Sequence, residues 1–302
     1  MTDISQQLNA FASHSPLQLL TNPFGPEVPL RLWLKRDDLL HPLVSGNKWR
    51  KLKYNLLAAQ AQGFATLLTY GGAFSNHLYA TAAAGRAFGF GTVGVVRGNE
   101  LASQPRNATL SFCEAAGMHL HFVDRETYRR KDDPEWLDTL QRTFGPCYVI
   151  PEGGTNELAR LGTAEILPEI SEQLGRVPDF VCCAVGTGGT MAGLVQSALP
   201  KTTVLGFLSL KAPDFQLPFG LEPGGSVQLL TDYHFGGYAR TTPQLLNFIR
   251  DVEQRTGVLL EQVYTGKMLS GLCDMARQGY FPETATTVAI HTGGLQGRSG
   301  VL

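Results

Sequence analysis

Residues 179–193 read DFVCCAVGTGGTMAG, which is a short apolar run, a glycine-rich turn and then a segment of small residues. A continuous apolar run of this length, bounded by glycine, is typical of a parallel strand that is covered on both faces. A glycine turn that leads into a helix presents backbone N–H groups at the positive end of the helix dipole. The stretch therefore predicts a strand–turn–helix unit of an α/β protein, with an anion site at the turn.

Two familiar nucleotide-binding motifs do not match this chain. The dinucleotide fingerprint needs glycine at its sixth position, where Met191 stands, and the next strand ends in Ser209 and Lys211 rather than in an acidic residue. A Walker A loop needs Gly-Lys followed by Ser or Thr, and the two candidates read GKM (266–268) and GNKW (46–49). Taken alone, the turn leaves two interpretations open: a phosphate site and a tight structural connection.

Further apolar runs with following glycines or helical patterns extend along the whole chain. They are FATLLTYGG (64–72), GTVGVVRG (91–98), HLHFVD (119–124), CYVIPEGG (147–154), TTVLGFLSL (202–210) and TTVAIHTGG (286–294). Strands that alternate with helices predict an α/β fold with two open, twisted, mainly parallel sheets. Because the strands fall into two sets near residue 155, we predict a larger domain of residues 1–62 and 156–302 and a smaller α/β domain of residues 63–155.

The bulk composition narrows the class of protein. With 302 residues and a formal net charge of −1, nothing indicates nucleic acid or an anionic membrane surface as a partner, and no apolar run approaches a membrane span. The N-terminus lacks the basic start and apolar core of a secretory signal. Five cysteines show no metal-ligand spacing, so no metal site is predicted, and we expect them to be reduced and buried in a cytoplasmic protein.

The stretch VSGNKWRKLKYNLLAAQAQG (44–63) places Lys48 on the first turn of an amphipathic helix. There the helix dipole disfavours the protonated amine, and partial burial adds to this effect. The position is poor for a solvated charge but suits an amine that must be neutral to attack a carbonyl group. Arg50, Lys51 and Lys53 are interpreted as a solvated helix face, with Lys51 also a candidate phosphate ligand.

A second glycine turn, GGAFSNHLYATAAAG (71–85), has the same form as the first. Helix capping explains Ser75 but does not require Asn76 and His77, so these three residues are candidates for binding a substrate carboxylate. For His77 the alternative is a polar residue that merely begins the helix. A neutral lysine, a phosphate site and a carboxylate site together are typical of a pyridoxal phosphate enzyme.

These motifs resemble those of the 1-aminocyclopropane-1-carboxylate deaminase and D-cysteine desulfhydrase family. The motifs that occur in the same order are WLKRDDL (33–39), SGNKWRKL (45–52), TYGGAFSNH (69–77), GTGGTMAG (186–193), VYTGK (263–267) and HTGG (291–294). The resemblance covers about residues 17–295. It implies the pyridoxal phosphate fold type II, which is also the fold of the tryptophan synthase β subunit, and it places cofactor binding in the larger domain. It also implies a homodimer.

The resemblance assigns roles residue by residue. It implies that Lys48 binds the cofactor covalently, that Asn76 donates to the 3-oxygen of the cofactor, and that Ser75 and its neighbouring N–H groups bind the substrate carboxylate. Tyr238 (in FGGYAR) and Tyr264 (in VYTGK) match two tyrosines that flank the substrate. The residues implied in phosphate binding are Gly186, Thr187, Gly188, Gly189 and Thr190.

Two hydroxyl residues bear on the choice of reaction within the family. In the deaminases a glutamate follows the tyrosine of the VY-x-GK motif, whereas this chain has Thr265, and the resemblance places Thr292 beside the pyridine nitrogen of the cofactor. A neutral hydroxyl does not hold a proton on that nitrogen as a carboxylate does. A weaker electron sink favours β-elimination, most simply of D-cysteine, over opening of a cyclopropane. The alternatives are 1-aminocyclopropane-1-carboxylate, another β-substituted amino acid and a non-catalytic pyridoxal phosphate-binding protein.

Overall fold

The computed structural model describes residues 4–12, 14–28, 30–220, 222, 224–298 and 302. The described strands are β1 (Leu17–Leu20), β2 (Leu32–Lys35), β3 (Thr66–Gly71), β4 (Gly91–Arg97), β5 (Met118–Val123), β6 (Tyr148–Ile150), β7 (Phe180–Val185), β8 (Thr203–Leu208), β9 (Ser226–Leu230) and β10 (Thr287–Ile290). The described α-helices are α1 (Ser5–Phe11), α2 (Asn47–Ala61), α3 (Asn76–Phe88), α4 (Ala108–Ala115), α5 (Arg125–Arg129), α6 (Pro134–Phe144), α7 (Glu157–Ala164), α8 (Ile166–Leu174), α9 (Gly189–Ser197), α10 (Pro243–Thr256) and α11 (Thr265–Arg277).

The strands form two separate sheets. One has six strands in the order β1-β2-β10-β7-β8-β9, and it is parallel except for the antiparallel pair of β1 and β2. The other has four parallel strands in the order β5-β4-β3-β6. The predicted α/β class with two mainly parallel sheets is confirmed.

Burial on both faces explains why the central strands are apolar throughout. In β7 the side chains of Cys182 and Ala184 pack into one core, whereas Val181, Cys183 and Val185 pack into another on the opposite face. Successive side chains of a strand point to opposite faces, so each sheet face needs its own helix layer. All five cysteines of the chain are free and buried, as expected.

The chain divides into two compact units. The four-strand unit comprises Met1–Ser13, His41–Val44 and Lys48–Ala159, and the six-strand unit comprises His14–Leu40, Ser45–Asn47 and Arg160–Leu302. The predicted domains differ from these units, because they place residues 1–13, 41–44, 48–62 and 156–159 with the six-stranded sheet. Contacts of α2 explain the difference for residues 48–62 and 156, because Asn55 exchanges hydrogen bonds of 2.7 and 3.2 Å with Asn156, and the Tyr148 hydroxyl donates to Asn55 Oδ1 over 3.2 Å.

Helix starts follow local capping chemistry. Ser75 Oγ accepts from the N–H of Leu78 at the start of α3, and Asn107 Oδ1 accepts from the N–H of Leu110 at the start of α4. The helix α10 begins with Pro243 behind the capping residue Thr242. No helix among the described residues is long and apolar enough to cross a lipid bilayer.

Candidate functional site

The turn before Lys48 is fixed by backbone hydrogen bonds within the six-strand unit. Gly46 N–H donates to the carbonyl of Asp37 over 2.9 Å, and Asn47 N–H donates to the carbonyl of Thr292 over 3.2 Å. Gly46 has a φ of +63°, and a Cβ there would overlap the carbonyl group of Thr292. Only glycine adopts this φ and allows this close approach without strain. The approach fixes the position of Asn47, the next residue. The predicted SGN turn thus has a specific backbone partner in the HTGG motif.

Lys48 itself lies in the four-strand unit, near the start of α2. It is partly buried, and burial lowers the pKa of its amine to about 8. Burial and the charge of Lys48 together lower the pKa of Lys51 well below its ordinary value. A lowered pKa increases the fraction of neutral amine at physiological pH, as nucleophilic attack requires.

The interpretation of the neighbouring cations as a solvated face is wrong for two of them. Arg50 is 4% exposed and Lys51 is 2% exposed. The Lys51 amine donates to the carbonyl of Gly153 over 3.0 Å and to the hydroxyl of Thr155 over 3.1 Å. Periodicity alone does not show this, because the loop that receives Lys51 is about a hundred residues away in the sequence.

The second glycine turn lies in the same unit, between β3 and α3. Ser75 is the capping residue of α3, and Asn76 is the first helical residue and is partly buried. A Cβ at Gly71 would overlap the Ser75 side chain, so glycine is needed where the strand ends. The turn therefore places Ser75, Asn76 and His77 in succession at the positive end of a helix.

His77 is the most informative of these three residues. It is 2% exposed, and neither of its ring nitrogens has a hydrogen-bond partner among the described residues. Burial, with the charges of Lys48 and Lys51, lowers its pKa well below the ordinary value, so the imidazole is neutral at physiological pH. A buried donor and acceptor without partners are costly to stability and are expected where a ligand completes the hydrogen bonding.

The predicted phosphate turn connects β7 to α9 in the six-strand unit. Gly188 is the capping residue of α9 with a φ of +86°, and a Cβ there would lie 2.7 Å from Pro218 Cδ. Because a glycine caps this helix, no side chain of the capping residue competes for the N–H groups of the first turn. Asn47 Nδ2 donates to Thr190 Oγ1 over 3.1 Å, which joins this turn to the segment that leads into Lys48. These features suit a phosphate group.

The two predicted tyrosines lie together in the six-strand unit. Their ring centroids are 6.1 Å apart, the ring planes meet at 62°, and Tyr238 is 45% exposed. A Cβ at Gly186 would lie 3.1 Å from Cε1 of Tyr264, so Tyr264 lies against the glycine turn. Thr265, which follows it, is fully buried. In this unit the turn Gly186–Thr190 and both tyrosines are therefore neighbours.

The HTGG turn is ordered by its own histidine. His291 is fully buried, its Nε2 lies 2.8 Å from the carbonyl oxygen of Leu259, and its Nδ1 accepts from the N–H of Gly293 over 3.2 Å. Burial lowers the pKa of His291, and these contacts match a neutral ring that carries its proton on Nε2. Thr292, next in the chain, is 8% exposed.

Glu261 is a buried residue that the sequence motifs do not identify. It is 1% exposed, and its carboxylate accepts from the N–H groups of Val263 over 2.6 Å, of Tyr264 over 2.9 Å and of Thr265. Burial raises its pKa, and these N–H donors act against that shift. An acidic residue just before a helix start is the available sequence signal, because such residues satisfy the first N–H groups of a helix.

Comparison with known proteins identifies the family of the chain. Residues 12–293 match the family model described as pyridoxal-phosphate dependent enzyme. A putative 1-aminocyclopropane-1-carboxylate deaminase of Pyrococcus horikoshii is 31% identical over 94% of this chain and 90% of its own length. A D-cysteine desulfhydrase of Serratia proteamaculans is 31% identical over 95% of this chain and 93% of its own.

Solved structures agree with this result. The crystal structure of a homologue of 1-aminocyclopropane-1-carboxylate deaminase superposes with a TM-score of 0.79 at 28% identity, over 98% of this chain and 96% of the other. The two sheets of this chain, the family match and the two kinds of relative give a consistent assignment. The chain therefore belongs to the pyridoxal-phosphate-dependent enzymes, as a lyase of the 1-aminocyclopropane-1-carboxylate deaminase and D-cysteine desulfhydrase family.

Proposed function

We propose that this lyase catalyses β-elimination on a small β-substituted amino acid, and that D-cysteine is its first substrate. With water, D-cysteine then gives pyruvate, hydrogen sulfide and ammonia. The observation that carries the proposal is the pair of hydroxyl residues, Thr265 and Thr292, at positions where a strong electron sink would call for a carboxylate. Neither side chain supplies the negative charge that keeps a pyridine nitrogen protonated.

The environment of Thr265 supports this proposal. The carboxylate nearest in sequence is Glu261, and its oxygens accept N–H groups at the start of α11. A carboxylate engaged in this way stabilises the helix start and has less capacity left to bind a ring nitrogen. The function of Glu261 is then structural, and Thr265 and Thr292, which would lie beside the ring nitrogen, are neutral.

The residues present fit the cofactor. The glycine-capped start of α9 suits the phosphate group, and we assign it to Gly186, Thr187, Gly188, Gly189 and Thr190. The unpartnered, buried ring of His77 beside the capping turn suits a bound carboxylate, which we assign to Ser75, Asn76 and His77. Asn76 is further assigned to the 3-oxygen of the cofactor, Thr292 to the pyridine nitrogen and Lys48 to the covalent link. When bound, pyridoxal phosphate supplies an electron sink for the carbanion at Cα.

The acid–base work belongs to the side chains of the chain itself. Burial lowers the pKa of the Lys48 amine to about 8, so that about a tenth of it is neutral at pH 7, far more than for an ordinary lysine, and the neutral amine could act as a base. Lys48 is therefore our first candidate for removing the Cα proton. Tyr238 and Tyr264 are the alternatives, because they are assigned to flank the substrate and their rings pack together.

The competing substrate is 1-aminocyclopropane-1-carboxylate, which is favoured by the name of the Pyrococcus horikoshii relative. Purified protein loaded with pyridoxal phosphate is mixed separately with D-cysteine, L-cysteine and 1-aminocyclopropane-1-carboxylate, and sulfide and 2-oxo acid are measured. We expect sulfide and pyruvate from D-cysteine. Turnover of the cyclopropane substrate with no sulfide from either cysteine would reverse the choice, and cofactor binding without any turnover would favour a non-catalytic role.

A further inference from the structure

The segment that carries Tyr238 has an unusual backbone. Four of its residues have positive φ values: Phe235 (+53°), Gly236 (+92°), Gly237 (+117°) and Ala239 (+54°). Phe235 and Ala239 are not glycines, and residues with a Cβ rarely adopt this conformation. Such strain persists only where surrounding contacts determine the conformation, and it concentrates at functional sites.

The side chain of Lys267 supplies those contacts. Its amine donates to the carbonyl oxygens of His234 and Gly237, each over 2.8 Å, and the residue is 1% exposed. The same two carbonyls accept N–H groups from within the segment, since Gly237 donates to His234 over 3.0 Å and Arg240 donates to Gly237 over 3.1 Å. The lysine thus binds both carbonyls that organise the strained turn.

A second contact fixes the same segment to the same helix. The Tyr233 hydroxyl donates to Asp274 Oδ2 over 2.8 Å. Asp274 lies seven residues after Lys267 on α11, so the two side chains lie on one face of the helix, two turns apart. The face of α11 is therefore the surface against which the segment before Tyr238 is held.

The same helix also sets the position of Tyr264. Tyr264 is the capping residue of α11, and its N–H donates to Glu261. Tyr238 directly follows Gly237, whose carbonyl Lys267 binds, so the positions of both tyrosines depend on contacts with α11. Their ring centroids are 6.1 Å apart. Burial of the Lys267 amine is costly and lowers its pKa to about 8. A methionine would fill a similar volume without that cost, so packing alone does not explain a lysine here.

We infer that Lys267 is a positioning residue, which holds the carbonyls of His234 and Gly237 so that the Tyr238 ring is kept against Tyr264. This inference rests on the proposed function, in which Tyr238 flanks the substrate. Lys267 acts on the reaction only through Tyr238, and it takes no part in the chemistry.

A double-mutant cycle tests this inference in the holoenzyme. Lys267→Met, Tyr238→Phe and the double variant are compared in kcat and KM for the substrate that turns over, with the exposed Lys201→Met as the matched control. We expect each single variant to lose about tenfold or more in kcat/KM and the double variant to lose little beyond the worse single one, because both act on one group. Losses that multiply, or a Lys267→Met variant no worse than Lys201→Met, would overturn the inference.

Hydrogen exchange provides a readout that does not depend on activity. The amides of Gly237 and Arg240 should exchange about tenfold faster in Lys267→Met than in the parent, and not in Lys201→Met. Should Lys267→Met fail to fold, Lys267→Gln keeps an NH2 donor group on a shorter, uncharged side chain and is expected to show the same changes in smaller degree. Unchanged exchange of these amides in both Lys267 variants would refute the inference, even if the enzyme is active. If these amides exchange faster in the Lys267 variants but the parent protein turns over no substrate, only the proposed function is refuted.

Discussion

Lys48 shows how one side chain is prepared for its assigned role. Burial lowers the pKa of its amine to about 8 from an ordinary 10.5. The motif SGNK indicates the position of this amine, but its environment depends on residues far away in the sequence, among them those that hold the buried Lys51 amine beside it. The sequence therefore identifies Lys48 and the turn before it, whereas the burial that lowers its pKa depends on how distant segments fold around it.

The lowered pKa predicts a specific pH dependence of stability. Between about pH 8 and 10.5 the unfolded chain binds more protons at Lys48 than the folded chain does, so the folded state of the cofactor-free protein gains stability as the pH rises. Relative to Lys48→Met, the gain is at most about 3 kcal/mol across that window. Urea unfolding of both proteins at pH 7.5 and pH 10 measures it, and an equal difference at the two pH values would contradict it.

At the scale of elements, the glycine turns decide how closely other groups approach the start of α9. Gly188 combines a φ of +86° with a neighbouring Pro218 Cδ, whereas Gly175, which ends α8, has a φ of +66° and open space around it. The two glycines therefore share the backbone requirement but differ in their surroundings. This difference makes them a matched pair.

We expect Gly188→Ala and Gly175→Ala each to lose about 1–2 kcal/mol of stability from the left-handed backbone. Only Gly188→Ala should also weaken cofactor binding, by about tenfold or more, because it displaces the turn assigned to the phosphate. Titration of pyridoxal phosphate into the cofactor-free variants, followed by absorbance, gives the two dissociation constants. Equal affinities for the two variants would remove the phosphate assignment from this turn.

The elements also show where sequence patterns end. Central strands such as β7 and β8 are predictable because both faces are buried and every residue is apolar or small. The strands β1, β2 and β9 are not predicted by such runs. The strands β1 and β9 lie at the edges of their sheet and have partly exposed side chains. The strand β2 is short and is followed directly by charged residues. Glu261 lies outside the quoted motifs, and Lys267 lies in VYTGK without an assigned role, because the partners of both side chains are backbone groups that no side-chain motif reveals.

At the scale of the whole molecule, the order of the motifs along the chain is enough to indicate the family. The two sheets and the relatives confirm that assignment. The division into units is less predictable from the sequence. The helix α2 lies in the segment predicted to belong to the larger domain, but Asn55 on this helix is hydrogen-bonded to Tyr148 and Asn156 of the four-strand unit. A cytoplasmic location stays a prediction from composition.

The homodimer also stays a prediction, and it is testable directly. The chain has a mass of 32.8 kDa, so we expect light scattering after size-exclusion chromatography to give twice that mass for the holoprotein. Symmetric pairs are the commonest assembly of soluble oligomeric proteins. A mass equal to one chain at micromolar concentration would contradict the prediction without affecting the residue assignments.

Lys48 is assigned to bind the cofactor covalently, and chemical mapping is the most direct test of this assignment. The holoprotein is reduced with borohydride, digested, and the modified peptide is located by mass spectrometry. We predict a single pyridoxyl group on Lys48, in the peptide that contains SGNKWR. A pyridoxyl group on any other lysine, such as the buried Lys51 or Lys267, or no modification of fully loaded protein, would contradict the assignment of Lys48.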